Sequence, residues 1–325
     1  MAGPPVPDLM KVLVADGLEA EAVAKLKAAH QVDVTEPSPQ QLLDIIGGYE
    51  AIVVRSRTKV TADVIGKAAK LKVIARAGVG VDNIDVAAAT KRRIPVVNAP
   101  AASTISVAEL TMAHMLALAR HVPLAHMSLK SGKWEKKLFE GTELYGKTLG
   151  LVGSGRIGAE VVKRAKAFGM RAIAYDPYLP PKAAEERGIQ LRPTLDAVLR
   201  EADFVSVHAA LTDETRHMIG APQFAAMKKS AYLVNCARGE IVDEGALAAA
   251  LKEGQIAGAA LDVFEKEPPA GSPVLAADNT SFTPHLGAST KEAQERVGDT
   301  VAEDVIRVLA GQKPEFCVNR GIYER

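Results

Sequence analysis

Three short apolar runs each end in a residue able to move protons or hold an anion. Asn235-Cys-Ala-Arg-Gly239 supplies Arg238, Asp262-Val-Phe-Glu-Lys-Glu-Pro268 supplies Glu267, and Thr283-Pro-His-Leu-Gly-Ala-Ser289 supplies His285. A carbon that gives hydride to a nicotinamide needs a base for its hydroxyl proton. An imidazole, with an ordinary pKa of about 6.5, does this near neutrality. A carboxylate beside it fixes its tautomer and stabilises the imidazolium; Glu267 is assigned that task, with Glu265 second. A guanidinium grips a carboxylate through paired hydrogen bonds, so Arg238 is read as the substrate anchor. Asp262 is placed to bond the nicotinamide or its ribose. Singly, each has a plainer explanation: a capping histidine, a loop charge before Pro268, a turn arginine before a glycine. Their joint placement beyond successive strands argues for a site, because ligands of open parallel sheets bind past the carboxyl ends of the strands.

A dinucleotide signal lies upstream. Thr148-Leu-Gly-Leu-Val-Gly-Ser-Gly-Arg-Ile-Gly158 contains G-x-G-x-x-G between an apolar strand and a helix. Gly153 permits a tight turn, Gly155 clears the approach of a pyrophosphate, and Gly158 lets helix and strand pack closely. The helix start offers free N–H groups and the positive end of its dipole. Arg156, inside the loop, is either a phosphate contact or a solvated charge. A second strand ends at Asp176, where a carboxylate would bond ribose hydroxyls and repel a 2′-phosphate, favouring NAD over NADP.

These residues need a frame to hold them. Lys11–Ala15, Gln31–Val34, Ala51–Val54, Lys72–Ala75 and Ile94–Val97 read as strands alternating with helical segments such as 19–29. After Asp176 the alternation resumes at Asp203–His208, Ala231–Asn235, Gly258–Asp262 and Thr280–Thr283. Short apolar strands separated by helices mean parallel, doubly wound sheets. Residues 103–130 read as one long helix, apolar on nearly every face from Val107 to Ala119, with a shared role in domain packing and dimerisation preferred over a purely internal one. An amphipathic helix over about 289–310 and a final strand at Phe316–Val318 can join only the first domain. The expected architecture is α/β, with two doubly wound parallel-sheet domains: a Rossmann nucleotide domain, 99–286, inserted into a flavodoxin-like domain made of 1–98 and 287–325.

The bulk properties exclude other classes. A formal net charge of +1 argues against a nucleic-acid surface. Two cysteines, Cys236 and Cys317, give neither a disulfide framework nor a metal site. The Pro-rich start, Met1-Ala-Gly-Pro-Pro-Val-Pro-Asp8, has neither a basic nor an apolar region and reads as a frayed lead-in, not a signal peptide. No stretch is long and apolar enough for a membrane span. A cytoplasmic protein is expected.

With these segments in view, the chain resembles the D-isomer-specific 2-hydroxyacid dehydrogenases. Val54-Arg-Ser-Arg-Thr-Lys-Val60 and Ala75-Arg-Ala-Gly-Val-Gly-Val-Asp-Asn83 point to the branch acting on a phosphorylated acid. The fingerprint, Val234–Gly239, Ala260–Phe264 with Glu267-Pro268, and Pro284–Thr290 carry the wider likeness. The resemblance implies NAD-dependent oxidation of 3-phospho-D-glycerate to 3-phosphooxypyruvate, the first step of serine synthesis. Alternatives are a glyoxylate or hydroxypyruvate reductase, or an NAD-sensing corepressor-like binding protein. It implies substrate contacts from Arg55, Ser56, Arg76 and Gly78, with Arg57 as a supplementary cation. It implies NAD contacts from Val79, Arg156, Ile157, Asp176, Ala209, Cys236, Ala237, Arg238, Asp262, His285, Leu286, Gly287 and Ala288, many through backbone groups. Lys136 lies where some relatives place an arginine that reaches the neighbouring subunit's substrate. A homodimer or homotetramer, no metal, no nucleic acid and no membrane complete the expectation.

Overall fold

The computed structural model describes residues 9–324. The Pro-rich lead-in expected over residues 1–8 lies outside the described residues. The chain divides into two compact units, residues 1–103 with 290–325, and residues 104–289. The crossings fall at Ser103/Thr104 and Ser289/Thr290, a few residues after 98 and 286 as read from the sequence. The helix starting at Thr104 and the turn after His285 belong together in the second unit, where Ser106 Oγ donates to Gly287 O at 2.6 Å.

In the first unit, β1 (Lys11–Val14), β2 (Gln31–Val34), β3 (Ala51–Val54), β4 (Val73–Arg76) and β5 (Val96–Asn98) form a wholly parallel sheet of order β2-β1-β3-β4-β5. Period-two alternation sends Val12, Val14, Val53 and Ala75 to one face, and Leu13, Ile52, Val54 and Ile74 to the other. Helices cover both faces, which is why the strands read as continuous apolar runs. The long C-terminal helix Lys291–Leu309 covers the first face with Val297, Val301 and Val305.

The run Phe316–Val318 is not a strand. It makes one antiparallel bridge, Val97 with Cys317. Side chains take the backbone groups that a ladder would need: Asp304 accepts from Glu315 N–H and Phe316 N–H, and Asn319 Oδ1 accepts from Val96 N–H.

The second unit is also parallel: β6 (Thr148–Val152), β7 (Arg171–Tyr175), β8 (Ile189–Leu191), β9 (Phe204–Val207), β10 (Tyr232–Asn235), β11 (Gly258–Leu261) and β12 (Thr280–Phe282), in the order β12-β11-β10-β9-β6-β7-β8. The three-residue β8 was not read from the sequence. The helix expected over 103–130 is two, Thr104–Ala119 and Val122–Lys130. His121 breaks it with a φ of 50°, and Pro123 sits in the first turn of the next helix. The first of these helices is internal: Ala108, Met112, Met115 and Leu118 join the core of the sheet and the helix Arg156–Ala167. The packing half of the role expected for this stretch is thus seen in the first helix, while Val122, Leu124, Met127 and Leu129 of the second stay exposed. Among the described residues, no helix is long and apolar enough to cross a membrane.

Gly298 marks how closely the C-terminal helix packs in the first unit. A Cβ there would lie 2.8 Å from Ala22 Cβ on the helix Ala20–Ala29. Gly298→Ala gains helix propensity but forces two backbones apart, and overpacking costs more than propensity returns. Its Tm should fall by about 3 °C by calorimetry. A rise in Tm would show that the helices have room to spare.

Candidate active site

In the second unit, the strand order reverses between β6 and β9, and ligands of such sheets settle in the crevice opened there. The glycine loop leaves β6 at this point. Gly153 has a φ of +81°, and a Cβ on it would sit 2.8 Å from Ala209 N, so both conformation and space demand glycine. A Cβ on Gly155 would meet nothing within 4 Å, leaving open room before the helix that begins at Arg156. Gly158 lies 3.2 Å, at its Cβ position, from Gly153 O. Arg156 is exposed, while Ile157 turns inward to pack on the core. Asp176, past the end of β7, accepts from Ser154 N–H at 2.7 Å and Tyr178 N–H at 2.9 Å. Gly153, Ser154, Gly155, Asp176 and Tyr178 border a cavity of about 420 Å3 that Ala209 and His208 also line. His208 lies beneath the loop with Nε2 2.9 Å from Ser206 Oγ, and burial pushes its pKa down to about 4. The open space at Gly155, the free helix start and a carboxylate at the cavity wall suit a dinucleotide.

The loops after β10 and β11 are fastened to each other. Asn235 is fully buried; its amide donates to Arg238 O at 2.8 Å, and its oxygen accepts from Ala237 N–H at 3.0 Å. This curls the chain and carries Arg238 outward, with a guanidinium nitrogen 2.7 Å from Ala237 O. A Cβ on Gly239 would overlap the Phe264 backbone, so only glycine lets these loops touch. The Cys236 thiol is buried, and its pKa is pushed up to about 12, so it stays protonated.

Glu267 and His285 meet. His285 Nδ1 lies 3.0 and 2.8 Å from the two Glu267 carboxylate oxygens. His285 takes a φ of 56°, a turn conformation uncommon for a residue with a side chain. Burial alone would raise the Glu267 pKa. The His285 hydrogen bond and charge, the Phe264 N–H and the Arg238 charge outweigh burial and hold it below 4.5. Arg238, Glu267 and His285 thus form one electrostatic group. Glu265, the second candidate for the acidic partner, is occupied elsewhere. Its carboxylate accepts from Glu244 N–H and lies 3.2 Å from His217 Nε2.

Asp262, expected to bond the nicotinamide or its ribose, has its carboxylate bonded within the chain. It is fully buried, and it holds the turn after β12: Oδ1 accepts from Thr283 Oγ and Leu286 N–H, each at 2.6 Å, and Oδ2 from Gly287 N–H at 2.8 Å. Leu286 remains partly exposed, and Ala288 completes the turn.

The first unit gathers its own candidates. A loop after β3 carries Arg55 and Ser56, and buried Asp16, just past β1, organises it. Asp16 accepts from Arg55 N–H at 2.6 Å, Thr58 N–H at 3.1 Å and Thr58 Oγ at 2.6 Å. Asn83 donates to Arg55 O and Thr58 O at 2.7 and 2.6 Å. Arg57, expected as a supplementary substrate cation, is committed to Asp16 and to Ala15 O. Past β4, the Arg76 side chain folds over Gly78, where any Cβ would overlap its guanidinium. Val79 O accepts from the Asn98 amide at 2.5 Å.

Sequence reasoning missed Asp16, Asn83, His114, His208 and Thr283. The strand-end rule that selected Arg238 applies equally to Asp16 and Thr283. His114, in the middle of a mostly apolar helix, gives no such signal.

Residues 112–287 match the model of the D-isomer specific 2-hydroxyacid dehydrogenase, NAD binding domain. The chain is 56% identical, over 96% of its length and 60% of the relative's, to a D-3-phosphoglycerate dehydrogenase of Methanocaldococcus jannaschii. It is 45% identical to the Bacillus subtilis protein of that name, over 96% of this chain and 59% of the relative. The chain thus spans about three fifths of the length of these curated relatives. Among solved structures, a Thermus thermophilus protein superposes with a TM-score of 0.88 at 38% identity, covering 95% of this chain and all of that one. A glyoxylate reductase from Paecilomyes thermophila superposes with a TM-score of 0.88 at 28% identity, over 96% of this chain and 98% of its own. With two wholly parallel α/β sheets, a glycine loop at the switch point and a matching NAD-binding segment, the chain belongs to the D-isomer specific 2-hydroxyacid dehydrogenase family.

Proposed function

We propose that the chain oxidises 3-phospho-D-glycerate to 3-phosphooxypyruvate with NAD. The observation that carries this reading is the His285–Glu267 pair, with Arg238 acting on the same carboxylate. When bound, NAD supplies the hydride acceptor. His285 engages Glu267 through Nδ1, which directs Nε2 to the substrate's C2 hydroxyl. As the C2–H bond breaks, Nε2 takes the hydroxyl proton, and Glu267 stabilises the imidazolium. Arg238 binds the substrate carboxylate and polarises the C2 oxygen. Arg55, Ser56, Arg76 and Gly78 serve the phosphate end. The naming of the curated relatives supports the phosphorylated acid over glyoxylate. Cofactor contacts are assigned to the glycine loop, Asp176, Ala209 and the backbone of the 236–238 and 285–288 turns.

We further propose that a second copy covers the helix Val122–Lys130 and the segment after it, giving a homodimer or a homotetramer. Met127, Leu129, Trp134 and Leu138 are 59–83% exposed there, too apolar a face for water alone. Lys136 lies in the same exposed segment.

Several measurements bear on this reading. NADH absorbance should rise with 3-phospho-D-glycerate; turnover of glyoxylate or hydroxypyruvate alone would reject the phosphate assignment. His285→Ala should lower kcat by roughly 10³-fold, and Glu267→Gln by roughly 10²-fold; full activity in His285→Ala would remove the base. Because the Glu267 pKa is depressed in the fold, the carboxylate's stabilising contribution is present above its unfolded pKa and is lost as pH falls through the lower folded value. Acid unfolding of Glu267→Gln should therefore begin from a lower plateau with a shallower slope.

Asp176→Ala should shift the kcat/KM ratio toward NADP by about 10-fold or more, and no shift would displace Asp176 from the ribose. Met127→Asp with Leu129→Asp should reduce the mass seen by light scattering to that of one chain. An unchanged oligomer would place the interface elsewhere.

A further inference from the structure

A buried polar chain runs from the helix Thr104–Ala119 to the turn that carries His285. His114 projects from the buried side of this helix and is 3% exposed. Its Nδ1 lies 3.0 Å from Ser281 Oγ, and its Nε2 3.0 Å from Thr283 Oγ. Thr283 Oγ in turn lies 2.6 Å from Asp262 Oδ1.

For a neutral imidazole, which burial favours, proton counting fixes every direction. A carboxylate only accepts, so the single Thr283 hydroxyl proton goes to Asp262. Thr283 Oγ must then accept from His114, which puts the imidazole proton on Nε2. Nδ1 is left as an acceptor for the Ser281 hydroxyl. The chain ends on the turn itself, since Asp262 accepts from Leu286 N–H and Gly287 N–H, and its own carbonyl accepts from His285 N–H at 2.8 Å. The same helix grips the turn a second time through Ser106 Oγ and Gly287 O. It lies so close that a Cβ on Gly287 would fall 3.2 Å from Val107 Cγ2 and 3.1 Å from Asp262 Oδ2.

We propose that His114 is a positioning residue for the His285 turn, acting through Thr283 and Asp262 as a neutral imidazole protonated on Nε2. Its Nε2–H orients the Thr283 hydroxyl toward Asp262. The anchored carboxylate then holds Leu286 and Gly287, and with them the backbone that aims His285 at Glu267. Burial favours the neutral ring, opposed in smaller measure by the Asp262 charge. His114 touches no reacting atom. Its kinetic consequence rests on the dehydrogenase reading above, whereas its hold on the turn does not.

The test uses the full chain and three variants. His114→Leu keeps bulk without donor or acceptor, His114→Gln keeps one of each, and Thr283→Val removes the hydroxyl at constant shape. In long-range proton–nitrogen spectra of the histidine-labelled protein at pH 7.5, His114, assigned by its loss in His114→Gln, should show the Nε2–H tautomer; the Nδ1–H tautomer would overturn the proposal. Amide exchange at Leu286 and Gly287 should quicken by about 10-fold or more in His114→Leu and Thr283→Val, and stay within about threefold of the parent in His114→Gln, with Val205 in β9 unchanged as the control. Unchanged exchange in His114→Leu and Thr283→Val, or equal acceleration in His114→Gln, would overturn it. In turnover, His114→Leu should lower kcat by about 10-fold with KM for the hydroxy acid within about threefold, and His114→Gln should recover most of the loss. Parent-like kcat alongside accelerated exchange would refute the catalytic consequence. A parent protein that turns over no 2-hydroxy acid would instead sink the dehydrogenase reading, and the exchange result would still decide whether His114 holds the turn. If His114→Leu fails to fold, Thr283→Val and the tautomer of the parent protein decide.

Discussion

The buried Asp262 carboxylate is the fixed point on which the candidate site depends. A charge removed from water is costly unless it is fully bonded, and here one hydroxyl and two backbone N–H groups meet it. Those donors are the turn itself. Neutral packing would let residues 285–287 relax into several conformations; an unscreened carboxylate tolerates only the one that satisfies it. His285 accordingly keeps its left-handed backbone and remains within hydrogen-bond distance of both Glu267 oxygens.

The same device recurs. Asp16, just past β1, holds the Arg55–Thr58 loop by two backbone N–H groups and a hydroxyl. Asp176, past β7, takes the Ser154 N–H and steadies the glycine loop. In each case an aspartate beyond a strand end binds the backbone of a neighbouring loop that carries ligand-binding candidates. Parallel sheets make this economical, because all their strand ends open on one edge and a short acid can reach across to the next connection. The polar side chains at such an edge therefore divide between groups that meet a ligand and groups that aim them.

That division explains what could be read from sequence. All strands but the short β8 were legible because burial writes them as apolar runs, and the glycine loop was legible because the turn at Gly153 and the close approach at Gly158 leave no room for a side chain. Residue type and strand-end position single out Arg238, Glu267 and His285, and the structure brings Glu267 and His285 into contact. Residue type does not reveal the bonds within the chain that such groups make: Arg57 is bound to Asp16, and Asp262 to the backbone of the turn after β12. The break at His121 was hidden because Val122-Pro-Leu-Ala continues the helical pattern, and the phase of the chain changes through one residue's φ. The tail at Phe316–Val318 had strand composition, but Asp304 takes the Glu315 and Phe316 N–H groups and Asn319 takes the Val96 N–H that would face it, which no local pattern reveals.

In the proposed reaction His285, held by Glu267, removes the C2 hydroxyl proton while hydride leaves C2. The most direct measurement follows 3-phospho-D-glycerate deuterated at C2. The account requires the deuterium to appear in the reduced cofactor, with a primary isotope effect that persists in solvent deuterium oxide. Deuterium released to water, or oxidation with no label in the cofactor, would contradict it.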